Sequence, residues 1–155
     1  MMTQDMNKVA VVSGGSKGLG FSICERLADE GYRVATFSRK SSEAIEALVA
    51  RSEGRVYWQS VDIADPAQLA DFMRNVRQRH GRVGYLVNCA GIANEGLLTM
   101  MKPREISRML DVNVTGAIAL TQACSKQMMV GGFGSIVNVS SVVGLRGFKG
   151  VAAYS

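Results

Sequence analysis

The sequence predicts an α/β unit layered on a parallel sheet, and two observations carry the prediction. Short Val- and Ile-rich runs of strand length alternate along the chain with longer stretches at helical spacing. Such alternation produces βαβ units, whose strands pair in parallel and are covered by the intervening helices. No internal repeat, low-complexity segment or Pro/Ser-rich linker interrupts it, so the 155 residues read as a single domain.

The first strand is Val9 to Val12, and the next helix shows Leu19, Ile23 and Leu27 at i, i+4 spacing before Gly31 ends it. The second strand runs from about Arg33 to Ser38, and a helix from Ser42 carries Ile45, Leu48 and Val49 on one face. A third strand falls at Arg55 to Val61. Asp65-Pro66 then supplies the N-cap and first residue of a helix that buries Leu69, Phe72, Met73 and Val76. The fourth strand is Val83 to Asn88. One long helix over 103–130 follows, with Ile106, Met109, Leu110, Val114, Ile118 and Leu120 before Gly131 and Gly132, and the fifth strand is Ser135 to Val139.

Composition narrows the function classes. The chain is 47% hydrophobic and 20% charged, an ordinary globular balance that can bury a core. Its net charge of +5 is scattered, with no basic stretch interleaved with aromatics, so nucleic acid is not the expected partner. The excess can still steer an anionic ligand. Cys24, Cys89 and Cys124 are odd in number and set in apolar surroundings; they read as small core residues, with no disulfide framework and no metal site. The opening, Met1 to Lys8, is polar, and no run of about 18 apolar residues exists, which points to the cytoplasm rather than to a membrane. The lone His80 reads as a helix C-terminal residue favourable to the helix dipole.

Glycines concentrate where chemistry is expected. After the first strand, Ser13-Gly14-Gly15-Ser16-Lys17-Gly18-Leu19-Gly20 opens directly into a helix. Such a loop lets backbone N–H groups and a positive helix end meet a pyrophosphate. Its candidate contacts are Gly14, Ser16, Lys17, Gly18, Leu19 and Gly20. At the end of the second strand an NAD-binding site places an acidic residue on the ribose hydroxyls, whereas here the string is Ser38-Arg39-Lys40. Arg39, with Lys17 as a second cation, would welcome a 2′-phosphate, which favours NADPH over NADH. Asp62 and Ile63 end the third strand, and Asn88, Ala90 and Gly91 the fourth; all fall on the carboxyl edge where open parallel sheets bind ligands.

These strings together resemble the short-chain dehydrogenase/reductase family. The resemblance rests on the glycine loop, Asn88-Cys89-Ala90-Gly91, Asn113 within Asp111-Val112-Asn113-Val114, and Ser141 followed thirteen residues later by Tyr154. It covers essentially the whole chain, with Ser13 where the family usually has Thr and Cys89 where it often has Asn or Ala. Within the family, Gly81-Arg82-Val83, Gly96-Leu97-Leu98 and Gly134-Ser135-Ile136-Val137-Asn138-Val139-Ser140-Ser141 are similar to 3-oxoacyl-acyl carrier protein reductases of fatty acid biosynthesis and to related carbonyl reductases.

The resemblance implies a Rossmann-type doubly wound sheet of order 3-2-1-4-5, lacking the final strands of the complete family fold. It implies reduction of a ketone on a small molecule or on acyl carrier protein, with a homo-oligomer as the complete protein. Tyr154 would donate the proton, Ser141 would hydrogen-bond the carbonyl and Asn113 would position a water. A free phenol has a pKa near ~10, so a cation must stabilise its anion at neutral pH. In the family that cation is a lysine four residues after the tyrosine, position 158, beyond Ser155. The expectation is therefore an incomplete reductase with an exposed fifth strand. Its alternatives are a nucleotide-binding module without turnover and an interaction fragment that docks through 103–130.

Overall fold

The computed structural model describes residues 8–155; the polar opening at 1–7 lies outside them. Five parallel strands form one sheet in the order β3-β2-β1-β4-β5. They are β1 (Val9–Ser13), β2 (Arg33–Ser38), β3 (Val56–Ser60), β4 (Tyr85–Asn88) and β5 (Ser135–Asn138). Between them run α1 (Gly18–Asp29), α2 (Glu43–Arg51), α3 (Pro66–His80), α4 (Pro103–Leu110) and α5 (Ala117–Gly131). The strand order is the one the family resemblance implies.

The register follows from burial. β1 is buried at every residue, as a central parallel strand with helices on both faces must be. Its side chains alternate between two cores. Val9 and Val11 join Ala35, Phe37 and Leu86 beneath α3 and α5, while Val12 joins Val34 and Val56 beneath α1 and α2. Phe37 and Phe72 meet edge to face at 4.8 Å in the first core, a geometry that adds to simple burial.

Sequence chemistry fixes the helix starts. Asp65 caps α3 by accepting from the N–H groups of Ala67 and Gln68, with Pro66 at the first helical position. Ser42 caps α2 by accepting from Ile45 N–H, and its hydroxyl donates to the Ser16 carbonyl at 2.5 Å, which ties the helix to the first loop.

Three expectations are corrected. Leu19 lies 56% exposed, and α1 turns Gly20, Cys24 and Ala28 inward instead. Small residues on that stripe let the helix sit close to the sheet, and Ile23 and Leu27 pack beside it only partly buried. The segment 103–130 is helical throughout but not regular: a π-helical turn, Asp111–Gly116, joins α4 to α5. The inserted residue rotates the apolar pattern, leaving Leu110, Val114 and Ile118 exposed while Met109, Leu120, Cys124 and Met128 are buried. His80 does end α3, but it is only 4% exposed and its pKa is lowered by burial and by Arg33 and Arg79, so at neutral pH it places no cation at the helix end.

β5 sits at the sheet edge with β4 as its neighbour, and all four of its residues are exposed. No helix among the described residues is long and apolar enough to cross a membrane.

Candidate cofactor site

The strand order reverses between β1 and β4, so the connections leaving their carboxyl ends run to opposite faces and open a crevice. A cavity of about 930 Å³ occupies that crevice. Four loops wall it, one from each of β1, β2, β3 and β4, with Arg108 of α4 and Val112 of the π turn closing one side.

The first loop is shaped for close approach. At Gly20 a Cβ would lie 2.4 Å from the Gly14 carbonyl oxygen, so only glycine lets α1 begin against the loop. Gly18 adopts φ +58°, a left-handed conformation, and faces open space. The Lys17 side chain makes no capping hydrogen bond, which leaves first-turn N–H groups of α1 available to an anion. A dinucleotide pyrophosphate fits this cradle.

Ser13 holds the cradle to the fourth loop, because its hydroxyl oxygen accepts from the N–H groups of Cys89 and Ala90, each at 3.0 Å. A hydroxyl is all this task requires, so serine serves where threonine is usual. Gly14 N–H donates to the Phe37 carbonyl at 2.9 Å and joins the loop to the end of β2.

Cations dominate the charge of the wall. Lys17, Arg39, Lys40 and Arg108 line it against a single carboxylate, Asp62. Arg108 Nη2 donates to Asp62 Oδ2 at 2.5 Å, and Ala64 N–H donates to Oδ1 at 3.0 Å. Burial alone would raise the Asp62 pKa, but the Ala64 N–H, Arg108 and Arg39 more than offset it and hold the carboxyl below its usual range.

Of the sequence-predicted cofactor residues, all but Asn88 lie on the cavity wall. Asn88 is buried between strands and helix instead: its Nδ2 donates to Thr121 Oγ1 at 2.9 Å and to Asn138 Oδ1 at 2.8 Å. Asn113 stands in the π turn and bonds both polar groups of Ile92, a residue of the wall. Ser141 and Tyr154 are not on this wall. The Ser141 hydroxyl accepts from Val143 N–H at 3.2 Å, and Tyr154 belongs to a turn whose N–H donates to Val151 O at 2.9 Å.

Cys89 and Arg108 are among the wall residues that sequence reasoning missed. Cys89 is half-buried at the cavity rather than in the core, unlike Cys24 and Cys124, whose thiols burial pushes up to about 12. Arg108 lies 46 positions from Asp62, and no local spacing signals their pairing.

Comparison with known proteins agrees with this geometry. The family model described as short chain dehydrogenase matches residues 8–155. A 3-oxoacyl-[acyl-carrier-protein] reductase of Homo sapiens is 35% identical over 150 residues, covering 97% of this chain and 63% of that protein. The 3-oxoacyl-[acyl-carrier-protein] reductase FabG of Staphylococcus aureus is 36% identical over 152 residues, covering 96% and 62%. Among solved structures, a short-chain dehydrogenase from Streptomyces avermitilis superposes with TM-score 0.90 at 35% identity, covering 97% of this chain and 55% of that one. A variant actinorhodin polyketide ketoreductase with NADPH gives TM-score 0.87 at 27% identity, covering 96% and 58%. The chain thus spans less than two thirds of the length of these relatives.

Proposed function

The chain belongs to the short-chain dehydrogenase family of oxidoreductases, and from that premise we propose that it binds NADPH in preference to NADH and serves the reduction of a ketone to an alcohol. The observation that carries the cofactor choice is the end of β2, where Arg39 and Lys40 stand on the same cavity wall as Lys17 of the glycine loop. A 2′-phosphate is favoured by such cations and repelled by the acidic residue that an NAD site places there. The similar ketoreductase solved with NADPH supports the same choice.

In this reading the pyrophosphate rests on the N–H groups of the Gly14–Gly20 loop, and Asp62, Ile63, Ala90 and Gly91 flank the nucleotide. When bound, NADPH supplies the hydride. Tyr154 donates the proton to the emerging alkoxide, Ser141 hydrogen-bonds the carbonyl oxygen, and Asn113 positions a water for the proton relay. The substrate is a small carbonyl compound or a 3-oxoacyl group on acyl carrier protein, as the names of the human and staphylococcal relatives suggest. The cytoplasm is the compartment proposed, and self-association belongs to the same proposal: Leu110, Val114 and Ile118 form an apolar stripe, each about half exposed.

A second reading, a nucleotide-binding module without turnover, is favoured by the position of Ser141 and Tyr154 away from the cavity wall. Fluorescence titration of the 155-residue chain with NADPH and NADH, followed by an assay of 3-oxoacyl reduction, separates the two. Saturable NADPH binding with reduction supports the oxidoreductase. Saturable binding without reduction supports the module, and no binding of either nucleotide sinks both.

A further inference from the structure

Loops at strand ends make most of the cavity wall, but one of its cations reaches in from a helix. Arg108 of α4 is directed to Asp62, and the pair is sheltered, with side chains 34% and 28% exposed. Arg39 lines the same cavity, its carbonyl accepts from Ser60 Oγ at 3.1 Å two residues before Asp62, and among the described residues it forms no ion pair with that carboxylate. Two guanidinium groups therefore share one carboxylate as neighbour, and one of them holds it.

That allocation has a consequence for ligand choice. A carboxylate left without Arg108 would draw Arg39, because an arginine within reach of an unpaired, half-sheltered anion gains a charge-assisted bond that water replaces poorly. Arg39 would then be turned away from the ribose end of the cavity. Its charge would also be neutralised by that pairing, which weakens its hold on a 2′-phosphate. We propose that Arg108 is a specificity-determining residue for the nucleotide: by occupying the Asp62 carboxylate it leaves the Arg39 guanidinium free for the 2′-phosphate. The inference rests on the NADPH reading above. It adds a residue that acts through another, without itself touching the phosphate.

The ratio of NADPH to NADH affinity tests this directly, since everything the two nucleotides share cancels. In titrations of the 155-residue chain, R108Q is expected to lower that ratio about tenfold, the scale of one charge-assisted hydrogen bond. R108K, which keeps a cation for Asp62, retains most of the ratio. The double substitution D62N/R108Q removes the competing carboxylate and restores it. R108M, which keeps the aliphatic stem, replaces R108Q if circular dichroism shows the latter unfolded. An equal loss of both affinities, an unchanged ratio, or a double variant that stays as low as R108Q overturns the inference while leaving the NADPH reading intact. An unsubstituted chain that does not prefer NADPH overturns that reading, and the inference with it.

Discussion

Asn113 and Ile92 exchange two hydrogen bonds: the Ile92 N–H donates to Asn113 Oδ1 and the Asn113 Nδ2 donates to the Ile92 carbonyl, each at 2.8 Å. One side-chain amide thus satisfies both polar groups of a loop residue, as a neighbouring strand would. The π turn supports this by carrying Asn113 between two regular helices. N113A removes both bonds and leaves the Ile92 groups, which are partly buried, without partners. Loss of about 2 to 3 kcal/mol is expected, two ordinary bonds plus part of the cost of stranding them, measured by urea unfolding. A loss below about 0.5 kcal/mol would show that water replaces the amide at no cost.

Much of this arrangement is legible in the sequence, for physical reasons. β1 is buried on both faces, so four consecutive apolar residues mark it, and the glycine loop is bound to one conformation by the close approach of Gly20 to Gly14. The buried face of α1 is not legible from hydropathy, which favours Leu19, Ile23 and Leu27, whereas close packing on the sheet favours Gly20, Cys24 and Ala28. A π turn has no hydrophobic period of its own, so the spacing across 103–130 reads as one helix. Arg108 and Asp62 are joined only by the fold, and Cys89 reaches the cavity only because β4 ends there.

Gly18 and Gly20 separate two uses of glycine. Alanine at Gly20 would place a Cβ 2.4 Å from a backbone oxygen that cannot swing aside, so α1 must move off the loop. G20A is expected to lose about 2 kcal/mol or more in thermal or urea unfolding, typical of overpacking, and to abolish nucleotide binding. Gly18 faces open space at φ +58°, so G18A meets only the left-handed penalty of about 1 to 2 kcal/mol. Similar nucleotide affinity in the two variants would contradict the close-approach argument.

Arg39 offers the sharpest test of cofactor choice. R39E replaces the cation at the ribose end with the acidic residue that NAD sites use. NADPH affinity is expected to fall by about tenfold to a hundredfold, the range of a charge-assisted bond, while NADH affinity holds or rises. Calorimetric titration with both nucleotides reads this out. An equal fall in both would mean that Arg39 supports the loop and does not select the phosphate.

His80 gives the chain a pH dependence whose sign can be worked out. It is the only histidine in the sequence, 4% exposed, with its ring edge to face against Tyr57, and its Nε2 is buried without a partner among the described residues. Burial first, then Arg33 and Arg79, lowers its folded pKa below the ordinary value of 6.5, so the folded protein resists the proton that the unfolded chain accepts. Stability from this group is complete above the unfolded pKa near ~6.5, and it is lost as pH falls from there to the depressed folded value. Carboxylates titrate mostly below about pH 5, so between ~6.5 and ~5 the slope of stability against pH belongs largely to His80. H80F keeps a ring against Tyr57 and removes both the titration and the stranded nitrogen. It is expected to be more stable than the parent at pH 7.5 by about 1 kcal/mol, the scale of an unsatisfied buried group. The gap should then widen as pH falls to 5.5 in urea unfolding, and parallel profiles for the two proteins would show that His80 takes up its proton as readily folded as unfolded.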